Sequence, residues 1–89
     1  MSDRFTLQFA RDAKKSLAEL QPKQFKQIAT KIFSLLDSPQ PQDCKALKGY
    51  AGGYRVDSGE CRILYTIEDN AIRIFRVGKR NDDEVYRNL

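Results

Sequence analysis

The run Pro22-Lys23-Gln24-Phe25-Lys26-Gln27-Ile28-Ala29-Thr30-Lys31-Ile32-Phe33-Ser34-Leu35-Leu36 decides how the rest of the chain is read. Phe25, Ile28, Ala29, Ile32, Phe33 and Leu36 fall at i, i+3, i+4, i+7, i+8 and i+11, the stripe of an amphipathic helix. Pro22 suits the first helical turn, where its missing N–H costs nothing, and Asp37-Ser38-Pro39 with Pro41 ends the run. Upstream, Ala10, Ala13, Leu17 and Leu20 also keep a helical period, interleaved with Arg11, Lys14, Lys15 and Glu19. Two helices meeting across Gln21-Pro22 predict an antiparallel hairpin. Lys14, Lys15, Lys23, Lys26 and Lys31 decorate it, and a solvated face is preferred over an RNA-binding one.

The period changes to two on either side of this pair. Phe5, Leu7 and Phe9 alternate with Thr6 and Gln8, giving a short first strand. After a connector from Ser38 to about Gly53, Tyr54 to Val56 forms a second strand run, closed by the turn signal Asp57-Ser58-Gly59-Glu60. Cys61 to Ile67 resumes it as a hairpin partner, and Glu68-Asp69-Asn70 turns the chain into a third run over Ala71 to Val77. That last run is apolar on both faces, which marks a central or covered strand. Gly78-Lys79-Arg80 ends it, and Asn81-Asp82-Asp83-Glu84 has the cap and acid character of a short C-terminal helical turn carrying Val85 and Tyr86. The order is β-α-α-β-β-β, an α+β class in which a helix hairpin packs on a small, mainly antiparallel sheet.

Composition bounds the chemistry. Eighty-nine residues fit one domain over 1–89, without an internal repeat. There is no histidine, so acid-base work near neutrality falls to Lys, Tyr, Asp, Glu or Cys, and histidine-based nucleases and triads are excluded. Cys44 and Cys61 are seventeen apart without a CxxC, which points to reduced thiols rather than a disulfide framework or a metal site. No stretch approaches a membrane-spanning run, and the N-terminus lacks an apolar signal core, so a cytoplasmic protein is the expectation. The net charge of +4 suits an anionic partner and an ordinary soluble surface equally.

The cations are sorted by type. Residues 1–44 hold five Lys and two Arg, whereas 45–89 hold three Lys and six Arg: Arg55, Arg62, Arg73, Arg76, Arg80 and Arg87. Arginine's planar fork binds phosphate bidentately and stacks on bases, so an arginine-rich sheet suits a nucleic-acid surface. Cations that keep strand edges from aggregating are the competing reading. Simple alternation places Arg62 with Leu64 and Thr66, and Arg73 away from Ile72 and Ile74, but puts Arg76 on the same side as those two isoleucines. Arg55, Arg62 and Arg80 stand at strand starts or ends, where a concave site between sheet and tail would gather them. Structural alternatives accompany each: Arg62 paired with Glu60 or Glu68, Tyr65 in the core, Tyr86 docking the tail.

Leu47-Lys48-Gly49, Tyr54-Arg55-Val56, Cys61-Arg62-Ile63-Leu64-Tyr65, Val77-Gly78-Lys79-Arg80 and Glu84-Val85-Tyr86, in that order, resemble the RelE branch of the RelE/ParE superfamily of type II toxins. The resemblance implies a toxin that enters the ribosomal A site and cleaves mRNA there. A ribose 2′-OH attacks the adjacent phosphate, without metal or other cofactor, leaving a 2′,3′-cyclic phosphate and a 5′-OH. It further implies inhibition by a RelB-like antitoxin in a hetero-oligomeric complex.

Carried over by position, Arg62, Arg80 and Tyr86 match the family's catalytic arginines and tyrosine, while Arg55 stands in the place of a family lysine. Lys48 and Lys79 are further substrate-binding candidates. A second family lysine corresponds to Asp57, across a hairpin turn about two residues shorter, which leaves the general base unassigned. A gyrase-inhibiting ParE-like toxin, or a non-catalytic RNA-binding module of the same fold, is the rival expectation.

Overall fold

A computed structural model describes residues 5–79. The elements run β1 (Thr6–Phe9), α1 (Arg11–Ala18), α2 (Pro22–Asp37), β2 (Lys45–Ala46), β3 (Gly53–Ser58), β4 (Cys61–Glu68) and β5 (Ala71–Lys79). The strands form one five-stranded sheet in the order β1-β5-β4-β3-β2. Every neighbouring pair is antiparallel except β1 with β5, because the two helices carry the chain across one face before it returns. The α+β architecture expected from the sequence is the observed one, with one added strand. β2 is two residues long, too short to declare itself by alternation, and it adds an outer edge to β3.

Both helices lie on the same face of the sheet. From α1 and α2, Ala13, Ile28, Ile32 and Leu35 meet Val56, Cys61, Ile63, Tyr65, Ile72, Ile74 and Val77 from the strands. Phe5, Leu7 and Phe9 close this core from the β1 side. The stripe on α2 is only partly used: Phe25 and Phe33 remain exposed, while Leu35, one residue off the sequence template, is fully buried. Tyr65 is buried at the centre, where its hydroxyl donates to the Pro39 carbonyl oxygen at 2.7 Å. Burial pushes its phenol well above the ordinary tyrosine value, with Cys44, Asp43 and Tyr54 adding to the shift. Both cysteines are free, and burial raises the Cys61 thiol, with Glu60 adding to the shift and Lys79 opposing it.

The β3–β4 turn is tighter than the sequence signal. Ser58 pairs with Cys61, so the turn is Gly59-Glu60 alone and Asp57 belongs to the strand. Gly59 has φ +60°, and an added Cβ would sit 2.8 Å from the Gln27 side-chain oxygen on α2.

Candidate functional site

The sheet face away from the helices carries the functional candidates. Residues directly opposite in a sheet point to the same side, so the pairing register reads off the rows that cross it. One row runs Lys45, Arg55, Leu64, Arg76 across β2, β3, β4 and β5. The next runs Asp57, Arg62, Gly78, and on the other flank lies Gly53, Thr66, Arg73, Gln8. With strands spaced about 4.8 Å apart, the first row spans roughly 14 Å. The three rows bring Lys45, Arg55, Arg62, Arg73 and Arg76 onto one surface.

Arg76 is on this face only because of an irregularity in β5. Leu64 pairs with Arg76 and Tyr65 with Ile74, so Phe75 is an extra residue opposite a single step of β4. This β-bulge reverses the alternation beyond it. The sequence expectation that Arg76 shares the side of Ile72 and Ile74 is therefore wrong: the isoleucines face the helices and Arg76 faces away. The one local hint was the run Ile74-Phe75, two large apolar residues in succession where alternation allows one. Phe75 stacks on Tyr50, with ring centroids 4.9 Å apart and planes 10° from parallel. Tyr50 in turn lines a cleft with Ala51, Gly52, Thr66 and Glu68.

Arg62 occupies the second position of β4, directly across from Asp57. Its Nε donates to Asp57 Oδ1 at 2.7 Å and its Nη2 to Oδ2 at 3.3 Å, a side-on fork with the guanidinium largely buried and the carboxylate about one third exposed. The pairing expected with Glu60 or Glu68 is replaced by this one, because the two-residue turn brings Asp57 into register. Gly78, on the other side of Arg62, adds no side chain to the row. Leu64, fully buried, stands in register between half-buried Arg55 and Arg76 and is the apolar member of this row.

Of the remaining candidates, Lys48 is exposed in the loop between β2 and β3. Lys79 is opposite Cys61, a core residue, so it leaves the sheet on the helix side, away from Arg62. Arg80 and Tyr86, with the helical turn read after Asn81, lie outside the described residues. Lys45 was missed in the sequence because nothing in Ser38 to Gly53 announced a strand. Among the described residues no three of His, Cys, Asp and Glu come together as a metal site, and no helix is long and apolar enough to cross a membrane.

Two helices on one face of a five-stranded sheet in this order, with cations gathered on the other, define a RelE-like toxin of the RelE/ParE superfamily. The family model of the ParE toxin of type II toxin–antitoxin systems (parDE) matches residues 4–84, and the chain belongs to that family. Among solved structures, the RelBE2 toxin–antitoxin complex of Mycobacterium tuberculosis is 27% identical, covering 86% of this chain and 99% of that one, with a TM-score of 0.75. Escherichia coli RelE bound to an antitoxin RelBc peptide is 26% identical, covering 97% and 99%, with a TM-score of 0.75. The toxin of the RelB–RelE complex from Methanococcus jannaschii is 26% identical, covering 90% and 98%, with a TM-score of 0.72. None of the curated proteins compared with the chain matches it.

Proposed function

We infer that this toxin is a ribosome-dependent mRNA endoribonuclease of the cytoplasm, cleaving in the A site by attack of a ribose 2′-OH on the adjacent phosphate. The observation that carries this reading is the face on which Lys45, Arg55, Arg62, Arg73 and Arg76 converge around Leu64. Preorganised cations act where negative charge develops on a phosphate, and no solvent need reorganise as it does so. Arg62, fixed by its side-on fork, is the chief phosphate ligand. By the family resemblance, Arg80 is assigned to the same phosphate and Tyr86 to orienting or stacking on a nucleotide, while Arg55, which stays protonated, serves as a clamp rather than a base. Lys48 contributes to the surrounding potential, whereas Lys79, on the helix side of the sheet, stands apart from it. The modest net charge of +4 accords with dependence on the ribosome, which pins the mRNA in line and supplies much of the entropy term.

The partner that silences this activity is a RelB-like antitoxin, an acidic segment laid over a basic toxin in a hetero-oligomeric complex. Several of the solved relatives are toxin–antitoxin complexes, which supports the assignment. One observation favours a second reading, a gyrase-inhibiting toxin without nuclease activity: the matching family model is that of the ParE toxin of type II systems.

A single experiment separates the two. Purified toxin is added to a translating extract, new mRNA 5′ ends are mapped, and gyrase supercoiling is assayed in parallel. Codon-phased cuts that need ribosomes and disappear in Arg80→Ala are expected. Gyrase inhibition without cuts overturns the nuclease reading.

A further inference from the structure

The cations do not account for the cleft beside the Tyr50–Phe75 stack. It is lined by Tyr50, Ala51, Gly52, Thr66 and Glu68 and has a volume of about 450 Å³, within the range of small-ligand sites. The loop sets Tyr50 at its rim: Gly52 takes φ +76°, and the Gly53 N–H donates to the Tyr50 carbonyl oxygen at 3.0 Å. Thr66 is nine-tenths buried, and its hydroxyl has no hydrogen-bond partner among the described residues. A hydroxyl held out of water without a partner is costly, and a ligand that pairs with it removes that cost. Two residues further along β4, about 6.7 Å away, Glu68 stands exposed on the same side of the sheet. It forms no ion pair with a described residue, although Arg73, across from Thr66, is its diagonal neighbour.

A carboxylate on a cationic face repels phosphate, so Glu68 suits the donors of a base rather than the nucleic-acid backbone. Among the four RNA bases, guanine alone presents two adjacent donors on one edge, N1–H and N2–H2, with the O6 acceptor beside them. Adenine and cytosine set a ring acceptor next to the amino group, and uracil has one N–H between two carbonyl oxygens. We propose that this cleft is a nucleobase subsite selecting guanine: the ring stacks on Tyr50, N1–H and N2–H2 donate to the two Glu68 oxygens, and the Thr66 hydroxyl donates to O6. A step between staggered χ1 wells, which exchanges the hydroxyl and methyl branches of Thr66, brings the hydroxyl to the base. Tyr50, backed by Phe75, is a platform that stacks any base, so discrimination falls to Glu68 and Thr66. Arg73, exposed beside Thr66, neutralises the phosphate of the same nucleotide. That the guanine comes from mRNA rests on the nuclease reading above; a free guanine nucleotide is the other source with the same chemistry.

The test has two arms, on full-length wild type, Glu68→Gln and Thr66→Val, with thermal unfolding measured on each. In the first, GMP, AMP, CMP and UMP are titrated without ribosomes and followed by NMR. GMP should bind about tenfold or more tightly than AMP, the discrimination of a bidentate pair. Glu68→Gln should bring the two within threefold, because a carboxamide pairs with adenine as well. Thr66→Val should weaken GMP binding by about threefold to tenfold, the loss of one hydrogen bond, without lowering the melting temperature. Four nucleotides binding within threefold of one another, or an undiminished guanine preference in Glu68→Gln, overturns the proposal; unchanged GMP binding by Thr66→Val overturns the part given to Thr66.

In the second arm, cleavage sites are mapped on ribosomes programmed with randomised mRNA. Guanine enriched at one codon position, and no longer enriched with Glu68→Gln, identifies mRNA as the source. GMP selectivity without that enrichment makes the free nucleotide the occupant. Absence of cleavage by wild type removes the nuclease reading and leaves the guanine site to the titration, whereas cleavage with no guanine selectivity in either arm removes this proposal alone.

Discussion

Arg76 is the residue on which sequence and structure differ most sharply. Alternation places its charge under the helices, where burying a guanidinium among apolar side chains is costly; the bulge at Phe75 turns it to the other face, in register with Leu64. The two placements make opposite predictions. If the toxin cleaves mRNA through the sheet face away from the helices, Arg76→Ala should slow cleavage by tenfold or more with little change in thermal unfolding; under the helices the substitution would stabilise the fold and leave cleavage alone. Paired rate and melting measurements distinguish them.

Tyr65 gives a second test at this scale. Its folded-state phenol titrates above the ordinary value near 10, so the stability it contributes is complete below about pH 10 and is lost as pH rises beyond that. Tyr65→Phe removes the hydrogen bond to Pro39, costing about 1 kcal/mol at pH 7, and should make the alkaline loss of stability shallower. Urea unfolding at pH 7 to 11 on both proteins reads the two effects.

At the level of elements, the loop between β2 and β3 is held by close approach. An added Cβ at Gly53 would stand 2.7 Å from a Tyr50 ring carbon, 2.9 Å from a Leu47 methyl and 3.2 Å from the Tyr50 carbonyl oxygen. Neither the ring, stacked on Phe75, nor the backbone oxygen has an easy retreat. Gly53→Ala is expected to cost about 1–3 kcal/mol by overpacking and to alter the tyrosine fluorescence of the Tyr50–Phe75 stack. Denaturant titration followed by fluorescence checks both. The same logic explains why Asp57 reaches Arg62. A turn of Gly59-Glu60, possible because Gly59 takes a positive φ, fixes the register that a four-residue turn would have shifted.

For the whole molecule, the charge partition matters more than the total. The helix hairpin carries five lysines, and the opposite face of the sheet carries Arg55, Arg62, Arg73 and Arg76 with Lys45. If that face meets the mRNA, binding should weaken with salt in proportion to the phosphates it neutralises. Replacing Arg73 and Arg76 together by Ala should lower the slope of log K against log salt by about 1.4, some 0.7 for each lost contact to single-stranded RNA. Replacing Lys14 and Lys15 on α1 should leave the slope unchanged. Binding to programmed ribosomes between 50 and 200 mM salt provides the measurement.

The sequence by itself determined the element order and the class, because period 3.6 over Ala10–Leu36 and period 2 around it leave little choice about what buries what. It also determined the absence of histidine chemistry and the arginine bias of the strands. Only the tertiary structure decided which cations share a face. That depends on pairing register, and register turns on single residues: Phe75 inserted into β5, two residues rather than four in the β3–β4 turn, and a two-residue β2 that brings in Lys45. A one-residue change in a strand moves every later side chain to the other face. For that reason the fold was legible in local pattern, while the meeting of Asp57 with Arg62 was not.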